Sequence, residues 1–160
     1  MDAANQFLVL PAESPAELAA VRELFLEYWR ARKLSLAFFS FDRELAELPG
    51  AYAPPEGRLL LASWGGEPVG CVALRRMEPA ICEIKRLYIK PQFRGRGWGR
   101  ILTEAVVQEA RGIGYRKIRL DTIGPSMQDA MALYERMGFR EISAYHHNPL
   151  EGVKYLELDL

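Results

Sequence analysis

The six residues Arg94-Gly95-Arg96-Gly97-Trp98-Gly99 combine cationic side chains with a backbone that can approach a ligand closely. Glycines admit an anion to within reach of main-chain amides, and a helix starting here would add unpaired N–H groups with partial positive charge. Arg94, Arg96 and Arg100 supply full charges and forked donors. The stretch therefore reads as a phosphate cradle, with a glycine-rich turn carrying solvated arginines as the alternative. A dinucleotide fingerprint is the obvious rival, and Asp121 even stands where a ribose-binding acid would be expected. Its spacing fails, because the third glycine would fall on Arg100 or on Leu102. A Walker loop fails as well, since no Gly-Lys-Ser or Gly-Lys-Thr follows.

Glu83 is the next residue whose type stands out, lying among Ile81, Ile84, Leu87 and Ile89 where a carboxylate is costly without a purpose. Burial would raise its pKa toward a value useful for taking a proton from an amine. The other purpose is a structural ion pair with Lys85 or Arg86. Tyr134 falls on an apolar helical stripe with Met127, Ala130, Met131 and Met137, which suits a core tyrosine. His146 and His147 are adjacent, and neighbours on a strand face opposite ways, so they make a poor chelate. A loop or acceptor-pocket role suits them better, and no metal is expected. The aromatic group Tyr28, Trp29, Phe38, Phe39 and Phe41 reads first as helix-packing core.

These residues need elements to place them. Residues 6–10 form a strand-like run, after which Ser14, Pro15 and Glu17 supply an N-cap, a first-turn proline and a capping-box partner for a helix to about Arg32. Asp42 can cap a short helix ending near Pro49, and Pro54 and Pro55 enforce an extended connection. Residues 58–64, 69–77 and 81–89 read as a three-strand meander. From Gly97 the period changes: Trp98, Ile101, Leu102, Ala105, Val106, Ala110 and Ile113 share one helical face, which Gly114 can end. Residues 117–123 alternate as a half-buried strand, Ser126 can cap a last helix that Gly138 ends, and residues 139–144 and 153–160 close the chain as strands.

Lysine plus arginine and aspartate plus glutamate each number 21 in 160 residues, so overall charge makes no case for nucleic acid or an anionic membrane as partner. With 49% hydrophobic residues and no internal repeat, residues 1–160 are expected to form one domain. No basic segment followed by an apolar run opens the chain and no run approaches a membrane span, which points to a soluble, cytoplasmic protein. Cys71 and Cys82 lack metal-ligand spacing and read as buried free thiols suited to a reducing compartment.

Strand, Pro91, Gln92-Phe93-Arg94-Gly95-Arg96-Gly97-Trp98-Gly99 and helix together resemble the acetyl-CoA pyrophosphate motif of the GNAT N-acetyltransferases, Arg/Gln-x-x-Gly-x-Gly/Ala, with Arg94, Gly97 and Gly99 filling it. A second signature of that family, Ala-x-x-x-Tyr-x-x-x-Gly-Phe, matches Ala130, Tyr134, Gly138 and Phe139 across another helix-to-strand junction. The element order over nearly the whole chain is similar too. The resemblance implies a mixed α/β fold: a mostly antiparallel sheet of about seven strands, flanked by about four helices, with a parallel pair splayed to admit the pantetheine arm.

It further implies an N-acetyltransferase that moves acetyl from acetyl-CoA to a primary amine by direct attack. Main-chain groups of Leu87, Tyr88 and Ile89 would bind the arm and one N–H would polarise the acetyl carbonyl. The cradle would comprise Arg94, Gly95, Arg96, Gly97, Trp98, Gly99 and Arg100. Tyr134 would protonate the departing thiolate, and Glu83 falls near the general-base glutamate of the histone-acetylating branch. The family often has Asn seven residues before this Tyr; here Met127 stands there, which puts that coenzyme contact in doubt. Its first helices wall the acceptor side, which would draw in part of the aromatic group. The competing functions on the same fold are a catalytically silent acyl-CoA-binding module and, last, an interaction domain using the basic surface near Arg94 and Arg116. Closing strands that run to the end of the chain admit a homodimer by analogy, while the amine itself is left open.

Overall fold

The Ser14 hydroxyl accepts a hydrogen bond from the Glu17 amide while the Glu17 carboxylate accepts one from the Ser14 amide, and this reciprocal cap starts helix α1 (Pro15–Ala31). The computed structural model describes residues 5–123, 128–148 and 150–160. Strand β1 (Phe7–Pro11) precedes α1 and a short helix α2 (Phe41–Glu47) follows it. The meander comprises β2 (Arg58–Trp64), β3 (Glu67–Glu78) and β4 (Ile81–Ile89). Helix α3 (Trp98–Ile113), strand β5 (Lys117–Ile123), helix α4 (Gln128–Arg136) and strands β6 (Arg140–Ile142) and β7 (Val153–Asp159) complete the order.

All seven strands join one sheet in the order β1-β2-β3-β4-β5-β7-β6, and every neighbouring pair is antiparallel except β4 with β5. This is the mixed α/β architecture expected from the sequence, with the parallel pair at the centre. Two local expectations change. Helix α2 is entered from Ser40 in the left-handed region without a side-chain cap, and Asp42 lies inside the first turn with Oδ1 accepting from the Arg43 amide. Strand β6 spans three residues, since only Arg140 to Ile142 find partners on β7. The cap expected at Ser126, and Met127, lie outside the described residues.

The sheet separates two cores. On one face α3 buries Leu102, Val106 and Ala110 against Val72, Leu74, Ile84, Ile118 and Leu156. On the other, Val21, Leu24, Phe25 and Trp29 of α1 and Phe41 of α2 cover Leu59, Cys71, Ala73 and Tyr88. Each such fully buried large side chain contributes roughly 1.5–3 kcal/mol by removal from water. Cys71 and Cys82 are buried free thiols, one on each side.

The parallel pair parts early. Register between β4 and β5 runs only over Ile81↔Lys117, Cys82↔Ile118 and Glu83↔Arg119, although β5 keeps pairing with β7 as far as Ile123. Beyond Glu83, β4 carries an irregularity in its pairing with β3, and Arg86 adopts φ 58°, a left-handed conformation uncommon outside glycine. What holds it there is visible. The Arg86 guanidinium makes two hydrogen bonds of 2.9 Å to Glu44 and lies over the rings of Trp29 and Phe41. The far half of β4 thereby turns away from β5, leaving its edge without a strand partner.

Gly70 of β3 permits the close approach of that redirected segment. A Cβ there would lie 2.6 Å from the Tyr88 carbonyl oxygen and 2.6 Å from Ile89 Cδ1. Gly70→Ala is therefore expected to destabilise the fold by about 1–3 kcal/mol, the usual cost of overpacking. Thermal unfolding checks this.

Candidate active site

The large cavity of the protein, about 840 Å³, lies where β4 parts from β5 and where α3 begins. Its floor is Leu87, Tyr88 and Ile89, its cradle Arg94, Gly95, Gly97, Trp98, Gly99 and Arg100, and its walls come from α1 and α4. Gly95 and Gly97 have φ of 82° and 79°, conformations that a side chain would strain. Gly97 caps α3 without any side-chain hydrogen bond, so the leading amides of a sixteen-residue helix are left for a ligand. A Cβ at Gly95, Gly97 or Gly99 would meet no protein atom within 4 Å. The space over these glycines is thus not filled by the protein itself.

The arginines divide the work. Arg94 Nε donates to the Ile89 carbonyl at 2.9 Å, tying the cradle to the end of β4. That bond occupies the Ile89 oxygen, and Tyr88 stands opposite Cys71 with its carbonyl oxygen beside Gly70 of β3, so the main-chain groups that face away from β3 are those of Leu87 and the Ile89 amide. Arg100 lines the cavity and pairs with Glu104 one turn on. Arg96 does not line the cavity; its guanidinium lies over the Trp98 and Phe93 rings, 5.2 and 5.7 Å from their centroids. Trp98 in turn stacks on Phe7 at 4.4 Å, fixing the start of α3 on the sheet.

Gly99→Ala follows directly as a test of the cradle. Gly99 sits in α3 with open space above it, so the free protein should be unchanged or up to about 1 kcal/mol more stable. Acetyl-CoA affinity, read by titration calorimetry, should fall at least about tenfold, since the added methyl occupies the line of approach to the amides.

A second, smaller cavity of about 50 Å³ adjoins the first in the gap between the parted strands. It shares Tyr28, Arg32, Leu87 and Tyr134 with the large cavity and adds Lys85, Arg86, Asp121 and Thr122. Tyr134 therefore stands at the junction of the two. Its ring packs edge-on against Phe139, and burial holds its hydroxyl pKa well above the ordinary tyrosine range. The hydroxyl stays protonated near neutral pH, as a proton donor must.

Glu83 lines neither cavity. It is fully buried, and its two oxygens are engaged: Oε1 accepts from Arg75 at 2.8 Å, Oε2 from the Tyr145 hydroxyl at 2.7 Å. Glu83 pairs most closely with Arg75 across on β3, which was not expected, and also with the expected Lys85 at 3.9 Å, while Arg86 is committed to Glu44. Burial first, and then the Glu83 charge, keeps the Tyr145 hydroxyl protonated and donating.

His146 bonds Asp121 Oδ2 through Nε2 at 2.9 Å, and that nitrogen lies 3.8 Å from Glu83. Among the described residues, Glu83, Asp121 and His146 are the group that could ligate a metal, with atoms within 4.8 Å of one another. Arg75 already balances the Glu83 charge, which disfavours a cation beside it. Sequence alone could not bring these three together, since His146 lies 25 residues from Asp121 and arrives on an irregular segment. It also missed Arg32 and Tyr145, which carry no motif.

The Acetyltransferase (GNAT) family model matches residues 18–139. An uncharacterised N-acetyltransferase of Schizosaccharomyces pombe is 35% identical over 148 residues, covering 91% of this chain and 90% of that protein. The N-acetylaspartate synthetase of Rattus norvegicus is 31% identical over 155 residues, covering 94% of this chain, which spans 50% of that longer protein. In fold, the PaiA N-acetyltransferase of Thermoplasma acidophilum, solved in complex with coenzyme A, superposes with a TM-score of 0.73 at 17% identity, covering 97% of this chain and 99% of that one. The family match spans the glycine-rich turn, the parted strands and Tyr134, and on it this chain belongs to the GNAT family of acetyltransferases.

Proposed function

We infer that the protein transfers acetyl from acetyl-CoA directly to a primary amine, with both substrates bound at once. The observation that carries this is that two adjoining cavities share Tyr134 in their walls: one holds the glycine-rich turn, the other lies between β4 and β5 among charged side chains. The pyrophosphate lies on the leading amides of α3 with Arg94 and Arg100 beside it. The pantetheine amides add to the free edge of β4 at Leu87 and the Ile89 amide, as an extra strand would. An N–H of that edge polarises the acetyl carbonyl.

The amine enters through the smaller cavity and attacks the carbonyl carbon. A C–N bond forms, the C–S bond breaks, and the Tyr134 hydroxyl delivers its proton to the departing sulfur. The amine must shed a proton as well. Glu83, a candidate base by its position, is assigned here to its pair with Arg75, because it is fully buried, lines neither cavity and has both oxygens in hydrogen bonds to Arg75 and Tyr145. Asp121 lines the smaller cavity and leads through His146 to solvent, a path by which water can carry the proton away. The relative named for making N-acetylaspartate supports an amine acceptor.

Thiol release from acetyl-CoA across amines, amino acids and lysine peptides tests the reading. Amine-dependent release that saturates in both substrates is expected. Coenzyme-stabilised protein with no release from any amine would sink it.

A further inference from the structure

Two buried side-chain polar atoms have no hydrogen-bond partner among the described residues, Arg32 Nε and Thr122 Oγ1. Such atoms are costly, and a native protein that keeps them usually reserves them for a ligand. Both residues line the same 50 Å³ cavity, the one through which the acceptor reaches the acetyl group. Thr122 is 4% exposed, so bulk water does not satisfy it.

The charges around that cavity are spoken for, with one exception. Arg86 is held by Glu44, Lys85 lies 3.9 Å from Glu83, and Asp121 bonds His146. Arg32, at the C-terminal cap of α1, has no carboxylate within ion-pair distance among the described residues. Its guanidinium rests on the Tyr28 ring at 4.2 Å from the centroid, which orients the fork without neutralising it. An uncompensated cation beside an open hydroxyl calls for an anionic ligand, and a planar guanidinium suits a carboxylate best. The cavity volume agrees: about 50 Å³ is the space of one or two water molecules, enough for a carboxylate head and too small for a long polyamine chain.

We propose that the acceptor is an amine that carries a carboxylate, an amino acid in the chemical sense, bound with its carboxylate on Arg32 and Thr122 and its nitrogen toward the thioester. This rests on the acetyl-transfer reading of the same site. Cationic polyamines are disfavoured, because Arg32, which has no carboxylate partner among the described residues, repels them.

The test compares kcat/KM for aspartate, glutamate, glycine and β-alanine with that for their methyl esters, in the wild type and in Arg32→Met and Arg32→Lys. The best wild-type acid should exceed its ester by about 10- to 100-fold, the worth of a charge-assisted hydrogen bond. In Arg32→Met that ratio should approach one, with Arg32→Lys between, while the Kd for acetyl-CoA stays within about threefold. Because Arg32 also lines the large cavity, a loss of coenzyme affinity with the ratio intact would place it on the coenzyme and overturn the proposal. Esters or simple amines turning over as well as the acids would overturn it while leaving acetyl transfer standing. No thiol release with any amine would remove the acetyl-transfer reading, and this proposal with it.

Discussion

Tyr134→Phe should lower kcat by about 10² to 10⁴ while leaving the Kd for acetyl-CoA within about twofold and the thermal midpoint nearly unchanged. The expectation follows from what the substitution keeps. Tyr134 is 6% exposed, its ring sits in the core beside Phe139, and phenylalanine refills that space without its oxygen. The oxygen is a different matter. Tyr134 lines both cavities where they meet, and burial, with Tyr28 nearby, raises its pKa against the opposing influence of Arg32. A phenol held neutral at the point where a thiolate departs stabilises the developing negative charge by donating its proton. Steady-state kinetics at saturating acetyl-CoA, paired with calorimetric titration, separates the two effects. A kcat within about threefold of wild type would return Tyr134 to a packing role.

How far such roles could be read from the sequence depends on how local their cause is. The cradle was legible because glycine spacing and helix initiation are properties of consecutive residues: Gly97 does cap α3, and Gly114 ends it in the left-handed region. The capping box at Ser14 and the strand bounds Arg58–Trp64, Ile81–Ile89 and Lys117–Ile123 were legible for the same reason. Asp42 misled because Asp favours caps in general, whereas the entry to α2 is set by the left-handed pair Phe39 and Ser40. The acceptor side was not legible. Its groups are brought together by the tertiary fold, with Arg32 and β5 lining one cavity, Arg75 paired with Glu83 and His146 with Asp121, and no period or motif links them. Glu83 shows the limit most clearly, since its position on a buried strand was evident and its partner, eight residues away across the β3–β4 turn, was not.

That partner sets up a result as large as the first, in stability rather than in rate. Arg75→Met should cost up to about 3 kcal/mol, near the lower end of the penalty for stranding a buried charge, because 41% exposure of the Arg75 side chain lets solvent relieve part of it. For a chain of 160 residues, each kcal/mol corresponds to roughly 2–4 °C in midpoint. Glu83→Gln alone should also destabilise, by less, since the amide oxygen can still accept from Tyr145 but no longer pairs ionically with Arg75. Combining Arg75→Met with Glu83→Gln should recover much of the single-variant loss, as removing both partners of a buried pair is far cheaper than removing one. The rate decides what Glu83 is for. A structural carboxylate predicts that Glu83→Gln keeps kcat within about tenfold once measured below its lowered midpoint. A general base predicts a fall of about 10² to 10⁴ with the midpoint little moved and the alkaline rise of kcat abolished. The first outcome is expected, because Glu83 is fully buried and lines neither of the cavities in which an amine could present its proton.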